Sequence, residues 1–417
     1  MLEKMKNAWR IPELRKKITY TFLMLLVYRL LCVIPVPGMD ISMVSEALSQ
    51  FSILEFMNMM TGGSFSQMTI MAMGITPYIN ASIILQLLTV AIPALEKMAQ
   101  DGPEGRKKIQ EWTRYVTVIL AFVQAVGLVF AMRATSKGGL WYVVIGISMA
   151  AGTALAMWIG ERITENGIGN GISLLIMSGV VNNLFNWCRS ATVGIFTGTV
   201  VGLQIVGVIM TLVCFLAMIV CITYVDMGER RVPVQYAKRM VGRKMYGGQS
   251  THIPMKLNST GVMPLIFGYA IMQFPATIFA FFPASGINQW WVGFQNGIGY
   301  QFVLALLIIA FTYFYTSITF NPIDISKNMQ QNGGIIPGIR QGRATSDYLA
   351  KVSSRLTLFS ALFLAVLATI PTLLTRMFGV STPFAASSLL IAVSVGIETI
   401  RQIEAQMVMR HHKGFLG

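Results

Sequence analysis

Charge is scarce in this chain of 417 residues: 12% are Asp, Glu, Lys or Arg, against 54% hydrophobic. That balance excludes an ordinary soluble domain, whose surface needs about twice as much charge, and places the chain among multi-span membrane proteins. Acidic residues are scarcer still, 17 against 32 Lys and Arg, leaving a net charge of +15. The three histidines, His252, His411 and His412, all fall outside the apolar runs. The four cysteines, Cys32, Cys188, Cys214 and Cys221, are scattered through apolar stretches with no C-x-x-C spacing. They read as small buried hydrophobes in the reduced state, so neither a disulfide framework nor a metal site follows. No acid–base pair, nucleophile–base set, metal triad or phosphate loop stands out, and no cofactor is expected. A membrane enzyme would need such a cluster. An ion-coupled solute transporter would need ionisable groups near the bilayer midplane, and these too are nearly missing.

Apolar runs are abundant. A hydrocarbon core about 30 Å thick asks for roughly 20 apolar residues per span. On that scale ten spans are expected, over residues 18–35, 70–92, 113–133, 141–160, 168–187, 204–225, 261–283, 301–320, 356–376 and 383–401. No small-residue cleavage site follows the first run, so it reads as a retained span rather than a signal peptide. With the N-terminus inside, nearly all Lys and Arg fall in inner segments; Arg133, Lys137, Arg189 and Arg376 lie in outer connections. That asymmetry sets the orientation and, with an even number of spans, puts both ends in the cytosol. Arg29 alone lies within the first span, near enough its outer end to snorkel. Five spans form each half, 1–187 and 204–417, joined by an external connection over 188–203. Because five is odd, the halves have opposite topology.

Two inner loops, 226–260 and 321–355, are far too long for turns. In the first, alternation at Val232, Val234 and Tyr236 with a break at Gly247-Gly248 predicts a protruding hairpin. Long loops on a rigid scaffold tend to carry function. Basic loops also arise merely from orientation, but their length points to a partner docking on Arg230, Arg231, Lys238, Arg239, Arg243, Lys244, Arg340 and Arg343.

The second span contains GITPYINASIILQLLTV, residues 74–90. At 100° per residue Ile75, Ile79, Ser82, Gln86 and Thr89 share an arc of about 80°, aliphatic at the outer end and polar at the inner. The stripe reads as a greasy collar opening into a wet funnel. The same residues also suit a helix packed among neighbours, with its polar groups bonded across helices. Pro77 is expected to kink the helix. The seventh span opens with GVMPLIF, residues 261–267, repeating the Gly-apolar-x-Pro pattern at the matching place of the second half. Such breaks at matching positions of inverted repeats point to a pathway between them. The preceding stretch, ILEFMNMMTGGSFSQMTIMAM over residues 53–73, is Met-rich and broken at Gly62-Gly63. It reads either as a segment folding back to close the outer mouth or as an interfacial helix.

The chain resembles the SecY family over nearly its whole length. The resemblance lies in YRLLCVIPVPG, GITPYINASIILQLLT, GPEGRKKIQEWTRYVT, ERITENGIGNGISLLI, GVMPLIFGYAIMQFPATI and NPIDISKNMQQNGGIIPGIRQG, in that order. It implies an all-α polytopic fold of ten transmembrane helices in two inverted halves around an hourglass pore. It further implies a protein-conducting channel in the bacterial cytoplasmic membrane that passes unfolded polypeptides across and releases hydrophobic segments sideways into lipid. The implied pore ring is Ile75, Ile79, Ile176, Val180, Ile266 and Ile391. The implied plug is about 54–71, with Leu54, Met57, Met60, Gly62, Gly63, Phe65 and Met68; lateral-gate candidates are Asn80, Ser82, Gln86, Gln124 and Gln273. Implied companions are SecE and SecG subunits, with SecA or the ribosome docking on the two inner loops, where Arg340 matches the family's key arginine. Two positions depart from the family's pattern: Val180 where isoleucine is common, and Gln341 where proline often follows the arginine.

Overall fold

The computed structural model describes residues 9, 11–39, 58, 61–131, 138–196, 203–236, 239–241, 244–246, 250–280, 286–295, 297–378 and 386–413. It is mostly helical. In chain order the helices are α1 (Pro12–Leu31), α2 (Thr76–Ala91), α3 (Pro93–Gln100), α4 (Pro103–Ala131), α5 (Gly139–Asn166), α6 (Gly171–Phe196) and α7 (Leu203–Met227). Four strands follow: β1 (Glu229–Tyr236), β2 (Arg239–Val241), β3 (Lys244–Tyr246) and β4 (Ser250–Lys256). Then come α8 (Met263–Ala280), α9 (Gly286–Gln295), α10 (Ile298–Thr319), α11 (Pro322–Gln331), β5 (Gly334–Ile335), α12 (Arg343–Phe378) and α13 (Ala386–Lys413).

Prolines account for many of these boundaries. A proline at the first positions of a helix gives up an N–H that would have no intrahelical partner anyway. Pro12, Pro77, Pro93 and Pro322 all occupy such positions. Pro77 therefore starts α2 instead of kinking it. The expected span over 70–92 shortens accordingly to Thr76–Ala91, and the bend falls at its other end, where α3 turns away by 104°. Pro264 likewise stands second in α8. Gly74 and Gly261 precede the two helices with left-handed φ of +52° and +61°, so GITP and GVMP build the same device twice: a left-handed glycine and, three residues on, a proline in the first turn.

Among the described residues six helices are long and apolar enough to cross a membrane, or seven if α2 and α3 count as one bent span. Their outward faces are hydrophobic, as lipid requires. Along α7, Ile209, Val213, Leu216, Val220 and Tyr224 are exposed at helical spacing, while Met218, Ile222 and Val225 are buried on another face.

Packing divides the chain into two compact units, residues 1–209 with 378–417, and residues 210–377. This grouping cuts across the halves 1–187 and 204–417, since α13 packs with the first unit, against α6. In the first unit α5 is central. It contacts α1, α2, α4 and α6 and buries Ile145, Met149, Ile159 and Ile163 along with Gly146, Gly152 and Gly160. Between α1 and α2 the described chain from Thr61 to Ile75 is a run of turns, not helix. Phe65, Met68, Ala72 and Met73 from this run form one apolar cluster with Val36, with Ala125 and Val129 of α4, and with Ile145 and Met149 of α5. Its return is tied to the end of α1 by Val36 N–H to Met68 O and Ile70 N–H to Ile34 O, both 2.9 Å.

Gly152 is where α5 lets that run approach, because a Cβ built there collides with the Ile70 carbonyl. Gly152→Leu is expected to cost about 1–3 kcal/mol or more. The check is a lower midpoint of thermal unfolding in detergent, and an unchanged midpoint means the turn run is not seated on α5.

Candidate functional site

The collar residues can be followed one by one. Ile75 caps the N-terminus of α2 and is buried; Ile79, one turn on, is half-buried and its N–H reaches Ile75 O at 3.1 Å. Ile176 and Val180 lie one turn apart on α6, and Ile391 lies on α13; all three are buried, and the two helices pack together. Ile266 is half-buried in the first turns of α8, in the second unit. On the polar side of the stripe Ser82, Gln86 and Thr89 are half-buried, as is Asn80 beside it. Thr89 Oγ1 donates to Gln86 O at 2.7 Å within its own helix. That bond stays within one helix and is not the cross-helix bond of the packing alternative. Gln124 is half-buried on α4; Gln273 lies on α8, with its side chain outside the described residues.

The stretch expected to close the outer mouth is described only in part. Leu54, Met57 and Met60 lie outside the described residues. Gly62, Gly63, Phe65 and Met68 are placed, and Phe65 and Met68 are core residues with 0% and 1% exposure. The turn is closed from within: Asn58 O accepts Gly63 N–H at 2.9 Å, and Asn58 Oδ1 accepts Ser66 N–H at 2.9 Å. Two polar contacts at α6 lie beside this turn. Arg29 does not snorkel; its guanidinium turns inward and donates to Ser178 O on α6. Asn182 Nδ2 donates to Gly62 O at 2.6 Å. The one signal in the sequence was the Asn182-Asn183 pair inside an apolar run, since amides in a membrane helix must find partners.

The two long loops of the second unit meet in one module. β1 pairs antiparallel with β4, Val232 opposite Ile253 and Val234 opposite Thr251, as the alternation predicts; Gly247-Gly248 lies outside the described residues. β5, from the other loop, pairs with β1 on its free side, Gln235 opposite Ile335. Val232, Val234, Met255, Met329, Ile336 and Leu349 form a core under this three-stranded sheet. Each loop alone is too short to bury such a face, which explains why both are long. β2 and β3, between β1 and β4 in the chain, pair antiparallel as a separate two-stranded sheet.

Arg340 stands on this module in a loop held by side chains. Ser326 Oγ donates to Gly342 O at 2.7 Å, Thr345 Oγ1 to Arg340 O at 2.8 Å, and Gln341 Nε2 to Gly334 O at 3.3 Å. Gln341 thus supplies a cross-loop bond where the related pattern uses proline. Asn321 caps α11 by accepting from Ile323 N–H at 3.1 Å, and its amide donates to Asp324 at 2.7 Å, which makes NPID a helix start. Arg230, Arg231, Arg340 and Arg343 are exposed, with Arg231 paired to Glu229 at 2.7 Å. Lys238 and Arg243 lie outside the described residues; Arg239 and Lys244 are on β2 and β3, their side chains likewise outside. The exposed cations suit an anionic partner surface, whose attraction is strongest at low salt.

The chain matches the SecY family over residues 69–400. Protein translocase subunit SecY of Streptomyces galbus is 41% identical over the full length of both chains. That of Thermotoga maritima is 40% identical, covering 100% of this chain and 98% of the relative. Among solved structures, one described as a protein conducting channel superposes with a TM-score of 0.65 at 20% identity, covering 94% of this chain and 93% of that one. Sec61 in a canine ribosome–channel complex gives 0.62 at 20% identity, with the same coverage. At such identity these two likenesses concern the fold.

Leu349→Ala, at the centre of the module's core, is expected to cost about 2–5 kcal/mol. Trypsin should then cut the 226–260 loop faster in detergent although the substitution lies in the other loop. Equal cleavage rates would mean that the loops fold independently.

Proposed function

The chain belongs to the SecY family, and on that premise we propose that it conducts unfolded polypeptides across a membrane and lets hydrophobic segments leave sideways into lipid. The family is one of translocase channel subunits, not enzymes. The observation that carries the reading is the juxtaposition at the start of α2: aliphatic Ile75 ends Thr61–Ile75, a mostly buried non-helical run, and Ile79 follows one turn on. An unfolded chain has no fixed side chains to recognise, so a ring of aliphatic groups can contact any sequence and widen by rotamer change. When empty, an apolar constriction dewets and holds back ions; a charged ring would leak.

In this proposal ten spans form two inverted halves of five around an hourglass pore. The ring is Ile75, Ile79, Ile176, Val180, Ile266 and Ile391, and residues 54–71 close it as a plug. Asn80, Ser82, Gln86, Gln124 and Gln273 lower the cost of parting the gate helices to water, leaving the choice of exit to the hydrophobicity of the passing segment. The chain supplies no NTP site, so the driving force comes from a partner on the inner module: SecA, or the ribosome, with which relatives form complexes. SecE and SecG complete the assembly in the bacterial cytoplasmic membrane, with both termini cytosolic.

A photo-crosslinking residue at Ile79, with a secretory chain arrested midway by SecA, SecE and ATP, should give an adduct to the middle of that chain. An arrested chain with no adduct would put the passage elsewhere. Arg340→Glu should abolish SecA-driven export, read as loss of protease-protected product in vesicles, while the channel still accumulates in the membrane. Normal export would remove the docking assignment.

A further inference from the structure

Arg29 is a cation held inside a membrane-spanning unit, and its place there is costly unless it is bonded. Its acceptor is a backbone carbonyl, Ser178 O, between Ile176 and Val180 of α6, and its own Tyr28 ring lies 5.9 Å from the guanidinium carbon. The second object near that guanidinium is Gly62. A Cβ built on Gly62 would lie 3.0 Å from Arg29 Nη1, 2.8 Å from Gly179 Cα and 3.0 Å from Gly179 O. Gly62 also has a left-handed φ of +69°, so both its space and its conformation require glycine. On its other side the Gly62 carbonyl accepts the amide of Asn182, one turn beyond Ser178 on α6. The turn is therefore bonded to α6 through the Asn182 amide on its carbonyl, and the Arg29 guanidinium, which bridges α1 to α6 at Ser178 O, fills the space beside Gly62.

The remainder of the segment is anchored differently. From Phe65 onward it is built into the α4–α5 core and paired with the end of α1, and Met68 is held there at a left-handed φ of +43°, a strained conformation for a side chain that the packing must maintain. Gly62 and Gly63, at φ +69° and +87°, precede this anchored return.

We propose that Arg29 and Asn182 form a latch that holds the Gly62 turn against the Ser178–Gly179 backbone of α6 and keeps the channel shut. The latch rests on the reading of this segment as the plug. It places the positive charge of the first span on the backbone that carries two proposed ring residues. Opening α6 away from α1 then breaks the bridge and releases the turn in one step. Hydrogen bonds of this kind are strong when water is excluded and are readily exchanged for water once the site opens.

The test uses the full chain with its companion subunits, reconstituted, with the four native cysteines replaced by serine or alanine. Ser64 is 3% exposed in the latched turn, so Ser64→Cys reports on its release to a membrane-impermeant maleimide. Arg29→Gln, Asn182→Ala and Gly62→Ala should each speed labelling about tenfold or more, the change expected from losing one bond to a charged or buried group. Arg29→Lys, which keeps the charge but loses the planar fork, should retain part of the protection. Ala361→Cys, 0% exposed in the other unit, should keep its slow labelling throughout. Parent-rate labelling in Arg29→Gln and Asn182→Ala overturns the latch, as does faster labelling at Ala361→Cys, which would signal general loosening. Asn182→Ala carries the test if Arg29→Gln does not accumulate. Resting ion conductance separates this from the wider reading: the double variant Ile79→Gly, Ile266→Gly should leak whether or not the latch exists. A sealed bilayer there counts against the channel ring; a leak there, with sealed and protected Arg29→Gln, counts against the latch alone.

Discussion

A backbone N–H or C=O in hydrocarbon has no water to bond, and most of this structure answers that constraint. Helices answer it residue by residue. The run Thr61–Ile75 cannot, since it is made of turns, and most of it is buried, with Gln67 its exposed residue. Asn58 satisfies it from within, Ile34 and Val36 pair its return, and Asn182 takes the Gly62 carbonyl. A non-helical segment at membrane depth is tolerated only where protein or an aqueous cavity surrounds it.

Inside and outside are inverted in consequence. Apolar residues on α7 face outward in a stripe, while glycines and alanines of α5 permit the approaches that hold the first unit together. With lipid as apolar as leucine, burying another leucine between helices gains little, so close packing and a few interhelical bonds supply the cohesion. The inner module of the second unit follows soluble rules instead. Alternating Val232 and Val234 face a core, Arg231 and Gln235 face outward, and a buried leucine sits at the centre. One chain thus carries two folding chemistries, and the change occurs where α7 ends and β1 begins.

Much of this was legible in the residues. The long apolar runs, the sidedness of Lys and Arg, the hairpin alternation and the Gly-apolar-x-Pro pair are local patterns, and local patterns have local physical causes. Pro77 shows the limit: its missing N–H is compatible with a kink or with a helix start, and the choice depends on whether the preceding residues have a reason to be helical. Met71 and Met73 are apolar enough for a span, yet both are buried within the turn run. Arg29 shows a second limit. Its position near a span end permits snorkelling, and only the proximity of Ser178, 149 residues away, turns it inward.

By itself the sequence determined the class of molecule, the expected sidedness, the long loops and the positions where backbone breaks must occur, because hydropathy, charge and proline act through near neighbours. Tertiary structure decided that two loops separated by two expected spans share one sheet and that the Gly62 turn rests on α6. Each of these joins residues far apart in the chain, and the identity of a distant partner is not encoded in the local pattern of either.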